Sequence, residues 1–243
     1  MLLNCDLGES YGSWTMGMDE AVMPHLDQAN VACGFHGGDP LTIEKTLKLA
    51  QQHGVSVGAH PAYPDLVGFG RRSMALSNDE LRCTLLYQIA ALEGMARTTG
   101  IALDYVKPHG ALYNDMMASP ALRGVIMDTI ASYPASLRLM LQATAESEAI
   151  RAEAEARGLA LWFEAFADRC YDDDGRLLSR RKPGAVHDRD RMLAQVQQLA
   201  EDGSVTTVSG TRLPLQVDTL CVHGDNAEGV QAIQAIRDLL HRG

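Results

Sequence analysis

Short apolar runs alternate along the chain with longer segments in which apolar residues recur at helical spacing. Seven runs have the length and β-branched or aromatic content of buried strands: MLLNCD, QANVACG, VSVGAH, LDYVKPHG, LRLML, LALWFEAFAD and DTLCVHGD. The segments between them carry helix punctuation. Asp39-Pro40 reads as an N-cap with proline at the first helical position, and that helix closes on Gly54. Ser77 and Glu80 make a capping box for a helix on which Leu81, Leu85, Ile89 and Leu92 share one face. Ser119-Pro120 opens another, and AESEAIRAEAEARG, DRDRMLAQVQQLAEDG and the C-terminal AEGVQAIQAIRDLLHRG are rich in helix formers. Six or seven helices alternating with seven strands predict parallel βα units in one domain over residues 1–243, with no internal repeat or linker. Two stretches break the rhythm. VTTVSGTRLPLQVD predicts a small hairpin turning at Ser209-Gly210 just before the last strand. YPDLVGFGRRSM, with Arg71 and Arg72, is a loop long enough to act as a lid or substrate clamp.

A parallel sheet of this kind is either doubly wound or closed. Polar residues follow nearly every strand: Asn4, Asp6 and Glu9, then His36 and Asp39, His60, Lys107 and His109, Glu164 with Asp168 and Arg169, and finally His223 and Asp225. A barrel gathers all its strand ends around one mouth, whereas an open sheet gathers only those at its switch point. The expectation is therefore an α/β fold, a seven-stranded parallel (β/α) barrel with a small hairpin before its last strand.

Composition narrows the partners. With 31 acidic and 21 basic residues the chain has a formal net charge of -10, which argues against nucleic acid or an anionic membrane surface as a partner. The N-terminal MLLNCDLGES lacks a basic n-region and no window is apolar enough to span a bilayer, so the reading is a cytoplasmic protein. Five widely spaced cysteines without a CxxC read as buried thiols. Neither a phosphate-binding GxxxxGK[ST] loop nor a strand-borne GxGxxG is present, so nothing here binds ATP or NAD in a familiar way.

The candidate chemistry lies at the strand ends. Asn4 and Asp6 share one side of a strand, and a buried aspartate needs a partner. A lone histidine is most often structural, but His36, His60, His109 and His223 recur at strand ends in a chain with eight histidines. The other four, His25, His53, His187 and His241, fall in helices or their flanks and read as structural. Two kinds of site can use this set. A divalent metal takes an Asp with two or three His and leaves a position for water. A metal-free site uses Asp or His as general base, while Lys107, Arg71 and amides of the Gly34–Gly38 loop stabilise negative charge. Lys107, followed at once by proline, reads as a charge clamp more readily than as a Schiff-base nucleophile. Arg169 and Arg180 are of a type that binds a substrate carboxylate, and Asp172 to Asp174 before Gly175 reads as an exposed turn.

The blocks NCDLGESYG, NVACGFHGGDP, VGAHPAYPDLVGFGRR, VKPHGALYND, EAFADRCY and LCVHGD, in order from the first strand to the last, resemble the LamB/YcsF family. Departures fall at small or loop positions, such as Cys5, Gly37 and the GDNAEG run, and leave the polar strand-end residues in place. The resemblance implies a barrel of the glycoside hydrolase/deacetylase-like kind. It also implies ATP-dependent hydrolysis of 5-oxoproline to glutamate together with subunits B and C, the partners binding ATP and phosphorylating the lactam oxygen. On that reading Asp6, with His60 or His109, activates water, and Arg71 or Lys107 pairs with the substrate carboxylate. Amides beside His36 in the Gly34 and Gly37 loop stabilise the oxyanion, and Asn4, Glu9, Glu164, Arg169 and His223 complete the substrate pocket. The alternatives are a non-catalytic subunit that binds and delivers the lactam, and a metal-dependent deacetylase of N-acetyl sugars.

Overall fold

In the computed structural model, which describes residues 1–179, 182–223 and 227–240, seven parallel strands close into a barrel. They are β1 (Leu2–Leu7), β2 (Gln28–Ala32), β3 (Ser56–His60), β4 (Leu103–Val106), β5 (Arg138–Gln142), β6 (Leu161–Phe166) and β9 (Thr219–Cys221), with β9 pairing back onto β1. Around them lie α1 (Asp19–Val22), a 3₁₀ turn (Met23–His25), α2 (Pro40–His53), α3 (Asn78–Thr98), α4 (Gly110–Ala118), α5 (Pro120–Ala131), α6 (Ser147–Glu155), α7 (Arg189–Asp202) and α8 (Ala227–Leu240). The strands β7 (Ser204–Thr206) and β8 (Arg212–Pro214) form the antiparallel hairpin expected around Ser209-Gly210. Arg180, Asp225 and His241 lie outside the described residues.

Local chemistry accounts for the helix starts. The Asp39 carboxylate accepts from the amides of Leu41 and Thr42, and also from that of Gly12 at 2.9 Å, tying the loop after β1 to the start of α2. Its replacement by alanine should cost about 1–2 kcal/mol in a denaturant melt, the usual value of a lost N-cap, with the site chemistry unchanged. Ser77 and Glu80 form the capping box, and Leu81, Leu85, Ile89 and Leu92 are all buried against the barrel. Two elements escape sequence reading, α1 with its 3₁₀ turn and α4. Their N-caps, Met18 and His109, make no side-chain capping bond, so the usual Ser, Thr, Asp or Asn signal is missing.

Helices cover the outside of the barrel through Leu3, Leu7, Val31, Val57 and Ala59. Its inside is polar. Asn4, Gln28, Asn30, Glu164 and Thr219 are almost wholly buried, and their hydrogen bonds run from wall to wall. Thr219 donates to Gln28 at 2.6 Å and accepts from Asn4 at 2.9 Å, while Asn30 donates to Asn4 and Asp6, both at 2.8 Å. Such a network is tolerable in a barrel core because its members pair with one another, although Gln28 Nε2 and Glu164 Oε1 are left without a hydrogen-bond partner among the described residues. Of the cysteines, Cys5, Cys33, Cys170 and Cys221 are buried, and burial pushes the Cys33 thiol up to about 12. Cys83 departs from expectation and is exposed on α3. Among the described residues no helix is long and apolar enough to cross a membrane.

Candidate functional site

Strand ends bring Asn4, Asp6, Glu9, His36, His60, Lys107, His109 and Glu164 into one buried cluster at the barrel mouth. Alternation on β1 points Asn4 and Asp6 inward, and Lys107 follows β4, its amide bonded to Ala59 O at 2.8 Å. The Lys107 ammonium is 3 % exposed and lies 3.0 Å from Asp6 Oδ1, 3.1 Å from Glu164 Oε2 and 3.3 Å from Cys221 Sγ. Burial pulls its pKa down, but Asp6, Cys221 and Glu164 outweigh burial and hold it well above the usual lysine value. A lysine held so firmly protonated is a fixed charge, which favours the clamp reading over a Schiff base. Burial likewise works against the charge of Asp6, yet His60 and Lys107 keep its pKa well below the ordinary carboxylate range.

Asp6 divides its two oxygens. Oδ1 takes Lys107 and Asn30, leaving Oδ2 facing His60 Nε2 at 3.4 Å. The histidines are oriented by backbone carbonyls. His60 Nδ1 lies 2.6 Å from Lys107 O, and His109 Nε2 lies 2.9 Å from Phe69 O. A carbonyl only accepts, so both of those nitrogens carry hydrogen. The two remaining nitrogens, His60 Nε2 and His109 Nδ1, face each other at 3.0 Å. His36 stacks on His109 with ring centroids 3.6 Å apart and planes 5° from parallel, and its Nε2 lies 3.1 Å from Glu9 Oε1. Burial lowers the pKa of both stacked rings well below the usual histidine value, reinforced by the neighbouring imidazoles, and burial raises that of Glu9.

The loop between β3 and α3 forms one wall. Tyr63 and Ser73 both donate to Asp115 of α4 at 3.0 Å, Asp65 pairs with Arg72, and Phe69 sits at φ 54°. Gly70 follows at φ 63° beneath the stacked rings, where a Cβ would lie 2.9 Å from His109 Cδ2 and 3.0 Å from the Cβ of His36. Arg71 is exposed on this loop, its guanidinium 5.0 Å from the centre of the Phe69 ring.

Other sequence candidates have different surroundings. His223 Nδ1 pairs with Asp168 at 2.9 Å, and its ring can bring a nitrogen within 4.8 Å of Asp6 and Cys221. The Arg169 guanidinium donates to Leu178 O at 2.7 Å and to Ala185 O, bracing the segment after β6. Gly34 and Gly38 spend their amides on Gly37 O and Ser10 O, so neither amide is available to an oxyanion. The glycines serve close packing instead: a Cβ on Gly37 would lie 2.6 Å from Glu9 O, and one on Gly38 would lie 2.8 Å from Gly8 O. Sequence reasoning missed Asn30 and Tyr105, whose hydroxyl donates to Asn30 at 2.7 Å. The available signal was Gln28 and Asn30 at period two in an otherwise apolar run.

The model of the LamB/YcsF family matches residues 1–243. The chain belongs to the LamB/YcsF family. Among its relatives, the A subunit of 5-oxoprolinase from Chromohalobacter salexigens is 58% identical over 238 residues, covering 98% of this chain and 95% of that protein. Its counterpart from Pseudomonas fluorescens is 55% identical over 242 residues, covering 99% and 97%. The crystal structure of a lactam utilization protein from Thermus thermophilus superposes with a TM-score of 0.90 at 37% identity, covering 100% of this chain and 96% of that one. In this LamB/YcsF chain the polar blocks of the sequence converge on the same end of the barrel.

Proposed function

We propose that this chain carries the lactam-opening site of an ATP-dependent 5-oxoprolinase and acts in the cytoplasm with subunits B and C. Those partners bind ATP and activate the lactam oxygen by phosphorylation. The observation that carries the reading is the pairing of a fixed buried cation with carbonyl-oriented imidazoles beside Asp6, in a chain so similar to proteins named as the A subunit of 5-oxoprolinase.

The chemistry follows from the atoms. Asp6 Oδ2, kept ionised and facing His60 Nε2, accepts a proton from water as that water attacks the lactam carbon. The C–N bond breaks, the ring nitrogen takes a proton relayed through His60 or His109, and the resulting γ-carboxyl phosphate is hydrolysed by a second water to glutamate and inorganic phosphate. Lys107 holds Asp6 in place and is itself anchored by Glu164, and Arg71 at the rim pairs with the substrate carboxylate. Glu9, His36, Asn4 and His223 line the pocket.

The test is glutamate release from 5-oxoproline and ATP by the chain co-purified with subunits B and C. Asp6→Asn should lower turnover by about 10²–10⁴-fold, the usual worth of a positioned base, while 5-oxoproline still binds and the chain, though less stable for losing the Lys107 ion pair, remains folded at the assay temperature. Turnover close to wild type in that variant sinks the assignment and leaves the barrel with lactam delivery as its only role.

A further inference from the structure

His60 Nε2 lies 3.0 Å from His109 Nδ1, while the other nitrogen of each ring is taken by a backbone carbonyl. Lone pairs at that distance repel unless a proton or a cation lies between them. Neither ring can relieve the clash by changing tautomer, because the carbonyls of Lys107 and Phe69 hold the hydrogens on the far nitrogens. Anchoring of the far N–H on a backbone carbonyl is also how metal-ligating histidines are oriented.

The carboxylates complete the arrangement. Asp6 Oδ2 lies 3.4 Å from His60 Nε2, and Glu9 Oε1 lies 3.5 Å from His109 Nδ1. Ligands bonded at about 2.0–2.1 Å stand about 2.9–3.4 Å apart in octahedral to tetrahedral geometry, so the spacing is that of one coordination sphere. Charge points the same way. Asp6, Glu9 and Glu164 bring three negative charges when ionised against the single positive charge of Lys107, and a divalent cation balances them. The four donors of Glu9, His36, His60 and His109 lie within 4.8 Å of one another, but His36 is not a ligand alongside His109. Their planes are parallel and stacked at 3.6 Å, and a cation in the plane of one ring lies far outside the plane of the other. His36 instead donates its Nε2–H to Glu9 Oε1 and is a positioning residue. The second group, Asp6 with Cys221 and His223, is disfavoured because the Lys107 ammonium already sits 3.3 Å from the Cys221 sulfur.

The geometry points to a divalent first-row transition-metal site, held by His60 Nε2, His109 Nδ1 and Glu9 and closed by Asp6. Two imidazoles and two carboxylates are the donor set of zinc and its neighbours. When bound, such a cation supplies Lewis-acid polarisation of a carbonyl or phosphoryl oxygen. This rests on the lactam-opening reading and changes one part of it, because His60 Nε2, His109 Nδ1 and Asp6 cannot hold a cation and pass protons with the same lone pairs. Its test reads metal and not turnover, so either can fail alone.

The experiment uses the tag-free full chain, stripped with a chelator and titrated with zinc by calorimetry, with metal content measured after dialysis. Cobalt loading provides an absorption spectrum that reports direct imidazole ligation. We expect one equivalent of zinc per chain. His109→Gln and Glu9→Gln should each weaken binding by about 100-fold or more, whereas His53→Gln on α2 should bind as wild type. His36→Gln should weaken binding less than His109→Gln and leave the cobalt ligand-field bands in place. Melting curves of the metal-free variants identify any that fail to fold, and Glu9→Gln keeps the test open if His109→Gln is one of them. Wild-type chain that retains no stoichiometric zinc, or a folded ligand variant that binds as wild type, overturns the site. A shared proton between His60 and His109 is then what relieves the contact.

Discussion

Replacement of Lys107 by methionine should lower the unfolding free energy by about 3–5 kcal/mol, the cost of removing one partner from a buried ion cluster. The loss comes less from the lysine's own contacts than from what remains. Glu164 is fully buried and Asp6 largely so. Without the ammonium Glu164 keeps the Asn4 amide while Asp6 keeps Asn30 and the His60 ring, with no fixed cation left to balance the two carboxylates. A second substitution, Glu164→Gln, should recover part of the loss in the Met background while being harmful alone. That sign pattern in urea melts of the four proteins identifies coupling. The deficit should also shrink on acidification, since a carboxyl raised in pKa by losing its cation is protonated first and then needs no partner. In the wild type the sign is opposite. Asp6 is held well below its ordinary value, so its contribution is present above the unfolded carboxyl range and is lost as pH falls through the depressed folded value. A loss below about 1 kcal/mol for Lys107→Met would mean water reaches the cluster and screens it.

Gly58→Ala is the second large effect. A Cβ there would lie 2.1 Å from Tyr105 Cε2, so the single methyl and the ring cannot share the barrel. Tyr105 is fully buried and reaches over Gly58, its neighbour across the β3–β4 pair, to donate to Asn30 of β2. Overpacking of this kind costs about 1–3 kcal/mol, and an unpartnered buried amide adds about 1–3 kcal/mol. Asn30 also donates to Asp6, so turnover should fall together with stability. Gly58→Ala combined with Tyr105→Phe should remain as poor as the single variant, because the ring itself is the obstruction. Tyr105→Leu should restore room for the methyl.

Much of the barrel was legible because its grammar is local. Asp39, Ser77 and Ser119 announce helices by bonding their own next turn, and that chemistry needs no tertiary knowledge. The convergence of His36, His60, Lys107 and His109 followed from strand ends in a parallel barrel, which topology alone brings together. What stayed hidden depends on distance across the chain. α4 begins at His109-Gly110 without a side-chain cap, so its N-terminus looks like more loop. The glycines after β2 invite a ligand-approach reading, but the close neighbours of Gly37 and Gly38 are backbone atoms of Glu9 and Gly8, which only the fold supplies. Asn30 looks like an ordinary polar interruption until β1 and β4 deliver Asp6 and Tyr105 to its two ends.

Phe69 has a consequence that reaches past its strained φ of 54°. Its carbonyl is the acceptor that decides which nitrogen of His109 carries the proton. Any motion of the β3–α3 loop that relaxes this residue to negative φ swings that carbonyl away. The imidazole then loses its orientation and its fixed tautomer in the same event. Loop position and proton placement are thus one mechanical variable, latched at either end by Tyr63 and Ser73 on Asp115.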